Sequence, residues 1–228
     1  KQPVDAVVNE MNEDGEQFDK GGEAVEREIA GYIKTKGNLT EGEVFVTGSG
    51  KLPCLKILHA VTPKWRGVTE NEDKTLEKTI EKILSTAESE SLRSIAMPMV
   101  ACRTMFGYPV KRASLILLQT VIKHYHTRFK SIREIYICDT DSTKIQMFQR
   151  LAENMFKSQC FSIPVGQNLT FGQTIVQKPN KKLKEGIQTI VQRRGIRKIP
   201  LPAGRKIIIA WGDLAKLSLC TPPLKADI

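Results

Sequence analysis

The stretch Gly42–Trp65 reads GEVFVTGSGKLPCLKILHAVTPKW. It holds two short apolar runs, Glu43–Gly48 and Leu55–Val61, rich in Val, Ile, Leu and Phe. Short apolar runs bounded by turn residues read as buried strands. Between them, Gly48 and Gly50 permit positive φ and a tight reversal. The second run stops at Thr62-Pro63, because proline offers no N–H to a sheet ladder. On these residues alone the glycine pair is a structural turn.

Working outward, Val4–Asn9 (VDAVVN) is a strand candidate. A polar loop follows, then GGEAVEREIAGYIK, a helix whose Ala24, Val25, Ile29 and Tyr32 do not share one face. Downstream, Asp73–Glu90 carries Leu76, Ile80, Ile83 and Leu84 at helical spacing opposite a charged face. Ser94–Val100 reads as a buried strand, Ala101–Pro109 as a loop, and Val110–His126 as a largely buried helix started by Pro109. Glu134–Asp139 is a strand, and Ser142–Phe156 is a helix capped by Ser142 or Thr143. Strands alternating with helices predict an α/β fold, a parallel or mixed sheet covered on both faces. Beyond Phe156 the pattern loosens. Cys160–Gln177 allows one or two short strands, and Lys178–Gly204 reads as a basic linker with one short helix.

The chain has 228 residues, 40% hydrophobic and 26% charged, enough to bury a core without metal or disulfide. Its net charge of +10 is uneven: residues 158–228 hold 12 Lys/Arg against three Asp/Glu, while residues 1–157 are nearly balanced. A basic tail suits an anionic partner or a solvated linker equally. The five cysteines (Cys54, Cys102, Cys138, Cys160, Cys220) show no metal-ligand spacing and read as reduced thiols of an intracellular protein. No apolar run has membrane-spanning length.

Ligands of open α/β sheets bind where loops leave the strand ends. Gly21-Gly22 before a helix presents backbone N–H groups suited to anions, or is a plain turn. In Ala101–Pro109, consecutive amides can form an anion nest with Arg103 adding charge. Alternatively, Phe106 and Tyr108 simply pack on the core.

In order and at suitable spacing, VDAVVNEMNED…GG, GEVFVTGSGKLPCLKILHAVTPKW and IAMPMVACRTMFGYPVKRAS resemble a macrodomain. They are most similar to those carried in tandem by macrodomain-containing poly(ADP-ribose) polymerases. The resemblance covers residues 3–157, and the LPC–HAV–PKW segment is its most specific part. It implies a three-layer α/β/α fold with a central mixed sheet and a cleft for ADP-ribose, with no cofactor or metal. It places Asn12 near the distal ribose, Gly21 and Gly22 at the glycine turn, and Arg103, Thr104, Met105, Phe106 and Gly107 in the diphosphate loop.

Four departures stand out. Glu23 occupies a glycine position of the family, and a carboxylate about 4 Å from a phosphate charge costs about 4 kcal/mol at an effective dielectric near 20. That equals about three decades of affinity. Thr104 replaces the loop's first glycine and would be strained at positive φ. Asp139 and Thr140 stand where an aromatic often meets adenine. Ala24 and Val25 occupy the place of the acid that hydrolase-type members need, with Glu23 and Glu26 out of register.

The resemblance therefore implies a non-catalytic module for ADP-ribose or ADP-ribosylated proteins, nuclear or cytoplasmic. Its parent would be a longer chain with adjacent macrodomains and ADP-ribosyltransferase activity. Two alternatives stand beside it. One is a pocket-dead macrodomain contacting protein, or nucleic acid through Lys178–Lys198 with eight Lys/Arg. The other is a mono-ADP-ribosyl hydrolase.

In macrodomains a strand and a Gly-Asp turn precede VDAVVN, and the Asp reads the adenine amine. Here a similar segment lies at residues 205–228, GRKIIIAWGDLAKLSLCTPPLKADI being its surroundings, with Asp213 and Leu214 as candidates. The expected division is a macrodomain at 1–157, a basic linker at 158–204, and at 205–228 a leading strand of this macrodomain, permuted, or of the next in tandem. Without such a strand the sheet exposes a raw edge, so Lys206–Trp211 is expected to pair into it.

Overall fold

A computed structural model describes residues 4–15, 19–67, 69–127, 130–158, 196–201 and 205–211. The strands are β1 (Ala6–Met11), β2 (Val44–Gly48), β3 (Lys56–Val61), β4 (Ser94–Pro98), β5 (Glu134–Asp139), β6 (Ile196–Leu201) and β7 (Arg205–Trp211). The helices are α1 (Glu23–Lys36), α2 (Thr69–Ser89), α3 (Val110–Thr127) and α4 (Ser142–Ser158). One seven-stranded sheet runs in the order β2-β3-β1-β4-β5-β7-β6. The pairs β1–β3, β1–β4, β4–β5 and β5–β7 are parallel, while β2 and β6 are antiparallel edges. The sheet is mixed, as the alternation of elements predicts.

Side-chain parity divides the core into two layers. Ala6 and Val8, Leu58 and Ala60, Ile95 and Met97, Ile135 and Ile137, and Ile207 and Ile209 face one way. They meet Leu76, Ile80, Ile83 and Leu84 of α2, Ile116, Leu117 and Val121 of α3, and Ile145 and Phe148 of α4. Each fully buried Ile or Leu contributes roughly 1.5–3 kcal/mol of transfer free energy. Val7, Met11, Ile57 and Val61 face the other way and pack on Val25 and Ile29 of α1. Only two α1 side chains are buried outright, in keeping with its imperfect apolar stripe.

Strand β5 has the bounds read from sequence, and Lys206–Trp211 pairs into the sheet as expected, with Lys206 opposite Glu134 and Trp211 opposite Asp139. Ile196–Leu201, within the stretch read as linker, pairs antiparallel with β7. The expected strands in Cys160–Gln177 and the short helix lie outside the described residues, as do Lys178–Gly195. Helix α4 is capped differently from the expectation: Asp141 Oδ1 accepts the Thr143 and Lys144 N–H groups at 2.8 and 3.3 Å. A carboxylate one residue upstream satisfies the first-turn donors, so neither Ser142 nor Thr143 is needed.

Candidate functional site

The parallel strands β1, β3, β4 and β5 end on one side of the sheet, and the loops leaving them carry the candidate residues. The centre is Ala101–Gly107. Its Arg103 carbonyl accepts the Phe106 and Gly107 N–H groups at 3.0 and 3.3 Å, closing a tight turn. Gly107 sits at φ 71°, where glycine is at ease. Phe106 is buried beneath the loop, and its carbonyl accepts the Trp65 N–H at 2.7 Å. The PKW motif thus fastens the β3 exit to the loop, and Trp65 also lies 5.0 Å from the Tyr108 ring.

The strain expected at Thr104 falls elsewhere. Thr104 is exposed and not at positive φ; the left-handed residue is Ala101, at φ 66°. Its N–H donates to Glu10 Oε1 at 2.6 Å. Parity turns Glu10 toward the α2–α4 layer, where it is 3% exposed beneath the loop. Thr62 Oγ1 also reaches Glu10 Oε1, at 3.5 Å, while Oε2 has no hydrogen-bond partner. Burial pushes the carboxyl up to about 7, against the pull of the Ala101 N–H and the Arg103 charge. In the sequence Glu10 stands only as one residue of the VDAVVNEMNED motif. A glutamate inside VVNEM was the available signal, since a charge in an apolar strand needs a purpose.

Arg103 Nη1 donates to the Glu10 carbonyl at 3.3 Å, and its guanidinium lies 6.0 Å from the Phe106 ring centre. It is an exposed cation on the loop. Lys144 Nζ donates to the Cys102 carbonyl at 3.0 Å, placing a second cation beside the loop. Met105 is half-buried. Burial raises the Cys102 thiol to about 12, so it stays protonated at neutral pH.

The glycine turn is built by close approach. Gly22 has φ 75° and ψ 176°, a conformation open essentially to glycine, and it leads into α1 with no side-chain cap. Lys51 N–H donates to the Gly21 carbonyl at 3.0 Å. A Cβ on Gly50 would sit 2.0 Å from that carbonyl oxygen. Gly50 is therefore more than a turn residue: it lets the β2–β3 connection meet the glycine turn. The Lys51 stem passes over Gly22, 2.9 Å from where a Cβ would stand. Glu23 is exposed on the first turn of α1. At water's dielectric the 4 Å repulsion falls to about 1 kcal/mol.

Asn9 belongs to a directed hydrogen-bond chain. Its Nδ2 lies 3.2 Å from His59 Nδ1, and His59 Nε2 lies 2.9 Å from Thr47 Oγ1. Thr47 Oγ1 donates to the Gly48 carbonyl, so it accepts from Nε2–H, and Nδ1 accepts from Asn9. Burial holds the imidazole down to about 4, hence neutral. Asn12 is half-buried just past β1, and its carbonyl accepts the Gly15 N–H at 3.2 Å. Asp139 Oδ1 accepts the Asp141 N–H at 2.8 Å and forms the turn into α4. Asp213 and Leu214 lie outside the described residues. Among the described residues no His/Cys/Asp/Glu group could hold a metal ion, and no helix is long and apolar enough to cross a membrane.

The family model described as Macro domain matches residues 12–117. A macro domain-containing protein of Caldanaerobacter subterraneus is 31% identical over 149 residues, 61% of this chain and 85% of that protein. An O-acetyl-ADP-ribose deacetylase of Salmonella newport is 30% identical over 65% of this chain and 86% of its own length. Human protein mono-ADP-ribosyltransferase PARP14 is 25% identical along 99% of this chain, which spans 14% of PARP14. The chain likewise spans 26% of a 31% identical Thermotoga maritima protein.

Among solved structures, the Oceanobacillus iheyensis macrodomain superposes with a TM-score of 0.62 at 21% identity, over 69% of this chain and 87% of that one. The Trypanosoma brucei macrodomain in complex with ADP-ribose gives 0.56 at 25% identity, over 65% and 63%. With bacterial relatives as near as the transferases, and with the fold, the loop and the identities in agreement, this chain belongs to the macro domain family.

Proposed function

We propose that this chain is a non-catalytic reader of ADP-ribose, free or attached to protein, bound at the strand ends beside Arg103–Gly107. The observation that carries the reading is the closed turn at Arg103–Gly107. It keeps its glycine at positive φ, a buried Phe106 beneath it, and two cations, Arg103 and Lys144, beside it. A similar macrodomain, that of Trypanosoma brucei, has been solved in complex with ADP-ribose. In this reading Arg103 and the amides of Thr104 and Met105 take the diphosphate on the turn that Phe106 and Gly107 close, Gly21 and Gly22 lie against the ribose-phosphate, and Asn12 meets the distal ribose. Asp213, two residues past Trp211 in the sequence, is assigned the adenine amine by the resemblance of this segment to the strand and Gly-Asp turn of macrodomains.

The non-catalytic part rests on the residues present. Ala24 and Val25 follow the glycine turn where an acid would activate water, and Cys102 is a buried, protonated thiol. Alignment with PARP14 along 99% of this chain supports a place within a longer transferase, which we read as carrying adjacent macrodomains and acting in the nucleus or cytoplasm. Capture tests the reading. The chain retains a mono-ADP-ribosylated protein, free ADP-ribose releases it, and the modification stays intact on incubation. Equal capture of the unmodified protein contradicts the reader role, and release of ADP-ribose contradicts the non-catalytic one.

A further inference from the structure

The opposite end of the sheet carries a second concave surface, a cleft of 540 Å³ lined by Ser91, Arg93, Lys130, Ser131 and Arg133. Its walls are the N-terminal ends of two neighbouring strands. Arg93 and Arg133 directly precede Ser94 and Glu134, which are opposite each other in the β4–β5 register. The Arg133 N–H donates to the Arg93 carbonyl at 2.7 Å, holding the two backbones side by side. Arg205 begins β7 at the next matching level.

One carboxylate shapes the rest. Glu88 near the end of α2 accepts from the Lys130 N–H at 3.0 Å, the Ser131 N–H at 2.8 Å, Ser131 Oγ at 2.8 Å and the Ile132 N–H at 3.0 Å. That folds the α3–β5 connection against the α2–β4 connection, where Ser91 takes a left-handed φ of 55°.

The three cations are uncommitted among the described residues. The side chains of Arg93, Lys130 and Arg133 make no ion pair among the described residues, whereas Arg66, Arg112, Lys123 and Lys206 each face a carboxylate. Neighbouring acids are engaged elsewhere: Glu88 as above, Asp5 Oδ2 with the Arg93 and Ser94 N–H groups at 2.7 and 3.1 Å, Glu90 with Lys56 at 4.0 Å, and Glu134 with Lys206 at 3.5 Å and the Tyr136 hydroxyl at 2.8 Å. Among the described residues no aromatic or aliphatic side chain lines the cleft. That lining offers a base no ring to stack on and reads a ligand by its charge. Two guanidinium forks match paired phosphate oxygens, and the volume exceeds what one phosphate fills.

The geometry points to a second anion site here, at the N-terminal ends of β4 and β5, that takes a diphosphate. The group is either inorganic diphosphate or the diphosphate of a nucleotide, and it binds independently of the cleft at the other end of the sheet. Amide NMR of the whole chain separates the two ends.

Titration with inorganic diphosphate is expected to shift the amides of residues 91–94 and 130–134 saturably. Arg93→Gln with Arg133→Gln weakens that binding about tenfold or more, and so does Lys130→Gln. Both variants leave the response of residues 101–107 to ADP-ribose unchanged. A parallel titration with ADP identifies the source: shifts at 91–94 and 130–134 assign a nucleotide diphosphate, and shifts confined to the other end assign the inorganic ion. The proposal is overturned if inorganic diphosphate shifts only residues 101–107. It is equally overturned if the double variant binds like the wild type, or if sulfate at equal ionic strength reproduces the shifts.

Discussion

Replacing Glu10 with glutamine removes a titrating group from beneath the Ala101–Gly107 loop while keeping an acceptor for the left-handed Ala101. The wild-type carboxyl is raised from 4.5 to about 7, chiefly by burial, with Asp139 adding and Arg103 opposing. Each unit is worth about 1.4 kcal/mol, so the whole shift amounts to about 3 kcal/mol. The sign follows from linkage. The folded state holds this proton more tightly than the unfolded chain does. The resulting stability is complete below about pH 4.5 and is lost as the pH rises through about 7. Glutamine does not titrate. Between pH 5 and pH 8.5 the wild type should therefore lose up to about 3 kcal/mol relative to Glu10→Gln. Urea denaturation of both proteins across that range measures the difference, and His59, common to both, cancels. A wild-type-minus-variant difference flat with pH would refute the buried, protonated state assigned to Glu10.

Further outcomes test other parts of the site. Gly50→Ala puts a Cβ 2.0 Å from the Gly21 carbonyl oxygen at φ 55°. It should destabilise by about 3 kcal/mol in thermal denaturation and weaken ADP-ribose binding. The His59 imidazole, held down to about 4 by burial, should show an NMR titration midpoint well below pH 6. Its contribution to stability is complete above about pH 6.5 and is lost as the pH falls through about 4; an ordinary midpoint dissolves the Asn9–His59–Thr47 chain. Asp141→Ala should cost about 1 kcal/mol, and Ser142→Ala almost nothing; equal losses would return the cap to Ser142.

The elements with the strongest periodicity were legible in the sequence. Ile135 and Ile137 on one face of β5, and Leu76, Ile80, Ile83 and Leu84 on α2, declare their partners by spacing alone. The ends were less legible. Helix α2 begins at Thr69, because the polar turn Thr69–Glu72 carries no apolar repeat to announce it. Strand β1 runs two residues past Asn9 to Met11, since β3 continues beside it and pairs Met11 with Val61.

In the site, Gly107, Phe106 and Arg103 were readable as loop chemistry, and the Lys206–Trp211 strand as the filler of an edge. The support beneath was not readable. Ala101 takes the left-handed conformation anticipated for Thr104 because Glu10, 91 residues earlier, supplies the acceptor that holds it. Lys51 reaches the glycine turn only because Gly50 lets two backbones touch. Such pairings depend on strand order, which one sequence states only indirectly.

Isothermal titration of the whole chain with ADP-ribose tests the central claim most directly, repeated with Arg103→Ala. The account predicts saturable heat with a loop-dependent affinity, lowered about tenfold by the variant on loss of one charged contact. No heat and no thermal shift at millimolar ADP-ribose, or an affinity indifferent to Arg103, would contradict it.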